Sequence, residues 1–270
     1  MLKAVTIEPI LKVTDLYTLY YFQHKSGYRF EGESHDFWEI IYVDHGRASG
    51  LNGSEPYELK KGQMIFHHPN VFHNFRTGVM TDEVDEDCDI IVISFGGNLE
   101  VLEQFRDHIF TLSIYERNIF KQILDEGKQV YNKTNGKNLI YKKENPFEQE
   151  KVPGAKQMIG NLLEQLLLSL YRKQKECPSQ VQALPLQSLG MEYQMVRQII
   201  LFLEQNLYNN ISFADVVNHF NFSETQLKKM FRQVTGYSVM QYYRKCVVGR
   251  IEYHIQQQDQ NFTELADLFH

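Results

Sequence analysis

The stretch ISFADVVNHFNFSETQLKKMF, from Ile211 to Phe231, decides how the C-terminal part of the chain folds. Ser212 precedes a segment of helical periodicity, and Asp215 follows three residues later, at the spacing of a helix capping box. Ser223 and Gln226 repeat this arrangement at the start of a second segment. The stretch therefore predicts two short helices, each capped by a serine at its N-terminus.

The turn between these helices and the charge of the second one point to nucleic acid. Asn221 can adopt the left-handed conformation that turns the chain sharply after a helix. Two capped helices so joined form a helix-turn-helix, whose second helix can enter a DNA major groove. Between Ser223 and Arg250, Glu224 is the one acid, and the basic residues are Lys228, Lys229, Arg232, Arg244, Lys245 and Arg250. Such a local excess suits phosphate contact, although a solvated helix face would explain charge alone.

Composition sets the limits of this interpretation. At 270 residues, with 43% hydrophobic and 23% charged residues, the chain is long enough for two globular domains. Its net charge of −6 means that any DNA-binding surface must be local. The three cysteines are far apart, which fits no disulfide framework and favours a reducing compartment. Since neither a signal peptide nor a membrane span is evident, we expect a cytoplasmic protein that does not contact membranes.

The N-terminal part has the pattern of short strands. Asn52-Gly53 is a two-residue hairpin signal. The candidate strands are Tyr17–Phe22, His35–Val43, Tyr57–Lys60, Met64–His67, Phe72–Phe75 and Cys88–Phe95. Short strands at close spacing predict an antiparallel barrel or sandwich.

After Asn98 the periodicity becomes helical, with predicted helices at Ile114–Val130 and Ala155–Tyr171. The second carries a wide leucine stripe from Met158 to Leu170, which we interpret as a dimer interface, with packing on the barrel as the alternative. Polar residues at 131–153 predict a long loop, and 173–188 has the composition of a linker. The remainder is helical in pattern, including a long helix at Val239–Gln257.

A repeat extends the helix-turn-helix. The segment Asn261–His270 repeats Ser212–Asn221, with the cap, the acid at the third helical position (Asp215, Glu264) and the terminal Phe in common. A second helix-turn-helix therefore begins at Asn261. Its recognition helix would lie after His270, so we expect this chain to bind double-stranded DNA weakly or not at all.

These residues resemble a known family. The segment 197–270 resembles the DNA-binding domain of the AraC/XylS transcriptional regulators, through Phe222, Ser223, Leu227, Met230, Phe231, Thr235, Gly236, Tyr242 and Arg244. His35–Asn74 is similar to the cupin-type sensor domain of such regulators, and the leucine-rich helix is similar to their dimerising region. The pattern departs at Val217, where the family usually has alanine.

The resemblance implies an α+β fold. It combines a cupin-like antiparallel β-barrel at 1–98, a helical dimerisation region at 99–172, a linker at 173–188 and an all-α domain at 189–270, whose second helix-turn-helix is incomplete. The residues that would contact DNA are Thr225, Gln226, Lys228, Lys229 and Arg232. Lysine can reach guanine and threonine can offer its methyl group to thymine.

The β domain holds a candidate ligand site. Glu33, His35 and Glu39 alternate along one strand, and His73 follows on a later one. This set would suit Mn, Fe or Zn, but metal-binding cupins have His at the position of Glu33. We therefore expect no metal and no cofactor, with these residues lining the barrel. A small molecule would instead contact His35, Trp38, Glu39, Tyr42 and His73.

The sequence thus predicts a homodimeric, ligand-responsive transcriptional regulator with no enzymatic activity, whose effector is a small molecule such as a sugar. The alternative is a metal-dependent cupin enzyme with a helical appendage.

Overall fold

The computed structural model describes residues 4–78, 86–106, 108–130, 134–135, 138–139, 152–176, 181–183, 191–257 and 262–269. The strands are β1 (Lys12–His24), β2 (Arg29–Glu33), β3 (Trp38–His45), β4 (Arg47–Asn52), β5 (Glu55–Lys60), β6 (Gln63–His67), β7 (His73–Thr77), β8 (Cys88–Asn98), β9 (His108–Thr111), β10 (Thr134–Asn135), β11 (Asn138–Leu139) and β12 (Val181–Ala183). The α-helices are α1 (Ile114–Val130), α2 (Ala155–Glu176), α3 (Met191–Gln205), α4 (Phe213–Phe220), α5 (Glu224–Thr235), α6 (Val239–Gln257) and α7 (Phe262–Phe269). The predicted α+β class is confirmed.

The strands form two antiparallel sheets rather than one closed barrel. The larger sheet has the order β10-β11-β1-β8-β3-β6-β9-β12, and the smaller has the order β2-β7-β4-β5. The predicted Asn52-Gly53 hairpin joins β4 to β5, with Asn52 opposite Glu55 and Gly53 at a φ of 59°. A buried core between the sheets contains Ile41, Tyr57 and Phe75. The β domain is therefore cupin-like and open at its edges.

Strand β3 separates two cores because its side chains alternate between the two faces of the larger sheet. Ile41 and Val43 join the core between the sheets. Trp38, Ile40 and Tyr42 join a second core, which lies under α1 and α2.

Helices α1 and α2 pack on the outer face of the larger sheet. The leucines of the predicted dimer stripe are buried in this core: Leu162, Leu163, Leu166, Leu167 and Leu170. The assignment of this stripe to a dimer interface is therefore wrong, and the alternative of packing on the β domain is the one observed. Burying the stripe within one chain already removes its apolar surface from water.

The helix-turn-helix forms as the sequence predicts. Ser212 and Asp215 make a complete capping box at the start of α4, and Ser223 accepts a hydrogen bond from the Gln226 backbone at the start of α5. Asn221 ends α4 in the left-handed conformation, with a φ of 55°. Helix α7 begins one residue after Asn261, which lies outside the described residues together with His270.

The smaller sheet packs directly on the helix-turn-helix domain. Leu51 and Phe72 are buried in the core of the helical domain, and the Phe72 ring lies 4.7 Å from the ring of Tyr242. Asn74 Nδ2 donates to the Thr235 carbonyl at 3.1 Å. The two domains therefore share a continuous apolar and hydrogen-bonded interface.

Several elements differ from the sequence-based expectations. Strands β2, β4 and β9, and the short strands β10, β11 and β12, have no counterpart among the candidate strands. Residues 173–176 of the predicted linker continue α2, and Val181–Ala183 pair with β9. The rest of that linker and most of the predicted 131–153 loop lie outside the described residues. In the part of the chain that is described, no helix is long and apolar enough to cross a membrane.

Candidate functional site

A buried carboxylate surrounded by histidines lies between the two sheets. Glu39 points inward from β3, and its side chain is 7% exposed. Ser94 on β8 donates to Glu39 Oε2 at 2.8 Å. His67 Nδ1 and His73 Nε2 lie 3.3 and 3.4 Å from Oε1, and His35 Nε2 lies 3.6 Å from Oε2. We call Glu39, Ser94, His35, His67 and His73 the histidine cluster.

Backbone carbonyls hold two of the rings in place. His35 Nδ1 lies 2.9 Å from the Phe37 carbonyl, and His73 Nδ1 lies 3.0 Å from the Val71 carbonyl. Because a carbonyl can only accept, Nδ1 carries the proton in both rings. Each Nε2 is thereby turned towards Glu39, and neither makes a well-directed hydrogen bond within the described structure.

The electrostatics of the cluster centre on an ionised Glu39. Burial alone would raise the pKa of Glu39, but the rings of His35, His67 and His73, whose nitrogens lie close to its oxygens, outweigh burial and hold that pKa well below the usual value. Burial opposes the protonation of His73, yet the Glu39 carboxylate raises the pKa of His73 overall. Burial, followed by the charge of His73, lowers the pKa of His67 to about 3. The surroundings thus favour an ionised Glu39 and make His73 easier to protonate than His67.

The donor set also fits a metal ion. Glu33, His35, Glu39 and His73 offer ligand atoms that all lie within 4.8 Å of one another. Zn, Mn and Fe in proteins are bound by imidazole nitrogens and carboxylate oxygens. A ligand histidine usually has its other ring nitrogen hydrogen-bonded, as Nδ1 of His35 and His73 is here. Glu33 is exposed, so the ion would be open on that side. The residues present therefore fit a metal, which would supply a Lewis-acidic centre for a polar ligand atom.

The structure brings together three of the five residues predicted to bind a ligand. His35, Glu39 and His73 lie in the cluster. Trp38 and Tyr42 lie on the opposite face of β3, where Tyr42 stacks on Phe120 at 4.7 Å. These two cannot share a site with Glu39, because neighbouring strand positions face opposite sides.

Two members of the cluster are absent from the set predicted from the sequence. The sequence favours a strand end at His67, but the β3–β6 register places this residue directly opposite Glu39. Ser94 is likewise the partner of Glu39 in the β3–β8 register. The alternation of side chains along each strand is the signal that could have found them, since a residue paired with Glu39 points to the same face of the sheet.

The predicted DNA-binding residues lie on one exposed helix. All five, Thr225, Gln226, Lys228, Lys229 and Arg232, are exposed on α5, while Leu227, Met230 and Phe231 are buried beneath them. Lys228 Nζ lies 2.9 Å from Glu224 and 4.7 Å from the centre of the Phe213 ring. The helix therefore presents a polar face of the kind that can contact DNA.

Two protein families match the chain. Residues 15–99 match the family described as AraC-like ligand binding domain. Residues 203–244 match the bacterial regulatory helix-turn-helix proteins of the AraC family. No curated protein sequence matches the chain.

Solved structures show a weaker likeness. A single-residue variant of apo ToxT from Vibrio cholerae strain SCE256 is 12% identical, with a TM-score of 0.39, and the alignment covers 95% of this chain and 88% of ToxT. A cupin 2 domain-containing protein from Halorhodospira halophila is 17% identical, with a TM-score of 0.25 over 28% of this chain and 49% of its own. At these TM-scores the likeness supports no functional inference.

Proposed function

We propose that this chain regulates transcription by coupling the binding of a small molecule in its β domain to DNA binding by α5. It is an AraC-type protein by its ligand-binding and helix-turn-helix modules. The presence of both modules in one chain is the observation that carries the proposal. The shared interface between the smaller sheet and the helical domain supports it, because ligand binding could then change how α5 is held.

The histidine cluster is the proposed effector site. Its carboxylate and imidazoles can accept and donate hydrogen bonds to hydroxyl groups, so a sugar or another polyol is the class that we favour. Glu39 and His73 are buried, so the effector would enter from the side of the exposed Glu33. Homodimerisation is also part of the proposal, although the buried leucine stripe is not available for it.

DNA binding tests the regulator directly. Because this chain is expected to bind DNA weakly, target sequences would be selected from random double-stranded DNA at low salt, where phosphate contacts are strongest. Affinity would then be measured by fluorescence anisotropy as the salt concentration is raised. Replacing Lys228 and Lys229 by Ala should weaken DNA binding by about 1–3 kcal/mol for each lost base contact. Each lost phosphate contact should reduce the slope of log affinity against log salt concentration by about one. Lys121→Ala, which removes an exposed lysine of α1, is the matched control. Equal affinity of all variants would show that α5 is not the recognition helix.

The histidine cluster favours one second candidate, a metal-dependent cupin enzyme. Metal content after purification and dialysis would separate the two. One ion per chain that is lost in His73→Ala, together with turnover of a substrate, would favour the enzyme. A metal-free protein that binds DNA through α5 would favour the regulator.

A further inference from the structure

An ion pair lies at the start of the proposed recognition helix. Lys228 Nζ donates to Glu224 Oε2 at 2.9 Å, and both side chains remain more than half exposed. Glu224 is the first residue of α5 and is absent from the residues predicted to contact DNA. We propose that Glu224 reads DNA together with Lys228, and that the pair selects one C·G base pair of the target. This inference rests on the proposed DNA-binding function of α5.

The position of Glu224 in α5 is one where base contacts are made. The N-terminal residues of a recognition helix contact base edges in the major groove. Residues four apart share one face of a helix, so Glu224 lies on the face of Lys228, one turn nearer the N-terminus. Because the two charged groups touch, a docked helix that brings Lys228 to a base also brings the Glu224 carboxylate to the same base pair.

Hydrogen-bonding chemistry selects the base pair. In the major groove cytosine offers its N4 amino group as a donor, and guanine offers O6 and N7 as acceptors. A carboxylate only accepts and an ammonium group only donates, so Glu224 accepts from cytosine N4 while Lys228 donates to guanine. An A·T pair fits the ion pair less well. Its donor N6 lies beside the acceptor N7, which repels a carboxylate, and its acceptor O4 lies beside the thymine methyl group.

The spacing of the ion pair matches this base-pair edge. Cytosine N4 and guanine O6 are joined by a hydrogen bond of the base pair, so these two atoms lie about 2.9 Å apart. Glu224 Oε2 and Lys228 Nζ are also 2.9 Å apart. The second N–H of cytosine N4 is not used in base pairing and can donate to Glu224. The ion pair and the C·G edge can therefore close a ring of hydrogen bonds without breaking either pair.

Phe213 of α4 holds Lys228 in place for this contact. Lys228 Nζ lies 4.7 Å from the centre of the Phe213 ring, at the distance of a cation–π interaction. Phe213 is half-buried and directly follows Ser212, whose side chain caps α4. The lysine is thus restrained from two sides, by Glu224 and by Phe213. We assign Phe213 as a positioning residue that acts through Lys228.

Selection of target sequences tests the base contact. The parent chain, Glu224→Ala and Glu224→Gln would each select from random double-stranded DNA at low salt. The parent should enrich C·G at one position, and Glu224→Ala should reduce that preference about fivefold or more, the value of one base contact. Glu224→Gln should change the preferred base at that position to adenine, because glutamine binds adenine N6 and N7. Asp125→Asn, which breaks an exposed ion pair with Lys128 on α1, is the matched control and should select like the parent.

Fluorescence anisotropy tests the role of Phe213. Phe213→Leu keeps an apolar side chain on α4 but removes the ring beneath Lys228. It should weaken binding of the selected DNA about two- to fivefold, the value of an exposed cation–π interaction. The preferred base pair should stay C·G, since Glu224 and Lys228 are both retained. A changed base preference in Phe213→Leu would overturn its assignment as a positioning residue.

The outcomes separate this contact from the proposed function. If Lys229→Ala weakens DNA binding while both Glu224 variants select the same sequences as the parent, the base contact is wrong and the regulator function stands. A carboxylate in the first turn also stabilises a helix, and circular dichroism melts would show this effect. A lower melting temperature with an unchanged base preference would therefore leave Glu224 with that role only. A parent chain that enriches no sequence would overturn both the contact and DNA binding by α5.

Discussion

Asn74 joins the smaller sheet to the end of the recognition helix, and its removal should measure the coupling between the two domains. Its side chain is buried, Oδ1 accepts from the Leu51 backbone at 2.9 Å, and Nδ2 donates to the Thr235 carbonyl at 3.1 Å. Asn74→Ala deletes both hydrogen bonds and leaves two buried backbone groups without partners. Each such group costs about 1–3 kcal/mol. Because Asn74 and Thr235 line a cavity of about 310 Å³ with room for water, we expect a total loss of about 2–4 kcal/mol in the free energy of unfolding.

Urea denaturation followed by two probes tests this expectation. Trp38 is the single tryptophan, and it reports on the β domain through its fluorescence. Circular dichroism at helical wavelengths reports mainly on the helices. In the parent chain the two transitions should coincide, as they do when domains unfold cooperatively. In Asn74→Ala the helical transition should move to lower urea and separate from the tryptophan transition.

A matched variant distinguishes coupling from general destabilisation. Asn52 is also buried, and its Nδ2 donates to the Phe66 carbonyl at 3.2 Å, entirely within the β domain. Asn52→Ala should lower the free energy of unfolding, but the helical transition should not occur at lower urea than the tryptophan transition. If Asn74→Ala costs less than about 0.5 kcal/mol, or if both variants shift the two probes alike, the hydrogen bond to Thr235 does not couple the domains.

Three further predictions concern stability. Leu166→Ala, at a fully buried position of α2, should lower the free energy of unfolding by about 2–5 kcal/mol in urea titrations. The sedimentation coefficient should not change, because the leucine stripe is part of the core and not a dimer interface. A shift to a smaller species would contradict this. Ser212→Ala should cost about 0.5–2 kcal/mol by removing the cap of α4, and Ser212→Thr should retain most of the stability. Burial raises the pKa of Glu204 to about 7. Between pH 4.5, its ordinary pKa, and pH 7 the folded chain therefore keeps a proton on Glu204 that the unfolded chain releases. The free energy of unfolding should fall as pH rises through this range. Glu204→Gln should remove this slope and be more stable than the parent at pH 8 by up to about 3 kcal/mol, whereas parallel pH profiles would refute the assignment.

Much of the fold can be predicted because its signals are local. The caps at Ser212 and Ser223 and the left-handed Asn221 fix α4 and α5 from a few adjacent residues. Strand β9 escapes prediction because four residues carry too little periodicity, and its assignment depends on pairing with β6. The leucine stripe is misassigned for a related reason. Periodicity shows that a helix face is apolar, but the surface that covers it is a property of the tertiary fold.

The candidate site is predictable only in part. The prediction that Glu33, His35 and Glu39 lie along one strand is wrong, because Glu33 ends β2, His35 lies between the strands and Glu39 is on β3. His35, Glu39 and His73 nevertheless meet in the cluster, as the sequence predicts. The position of His67 depends on the register between β3 and β6, which the sequence does not state. The cavity between the smaller sheet and the helical domain is not predictable from the sequence, since strand pairing places Arg29 and Ser49 on one wall and the domain interface places Arg232 on the other.

Strand β7 connects the histidine cluster to the end of the recognition helix through consecutive residues. His73 faces the histidine cluster, where its Nε2 lies 3.4 Å from Glu39, and Asn74 faces α5, where it holds the Thr235 carbonyl. An effector that takes over Glu39 must draw the His73 ring away from the carboxylate or reorient it. Because His73 Nδ1 is tied to the backbone of Val71, the ring cannot move far without the strand. A shift of β7 would act on Asn74 directly, and with it on the end of the recognition helix. Strand β7 therefore gives a ligand in the histidine cluster a mechanical route to the proposed DNA-binding helix, through contacts that Asn74→Ala would interrupt.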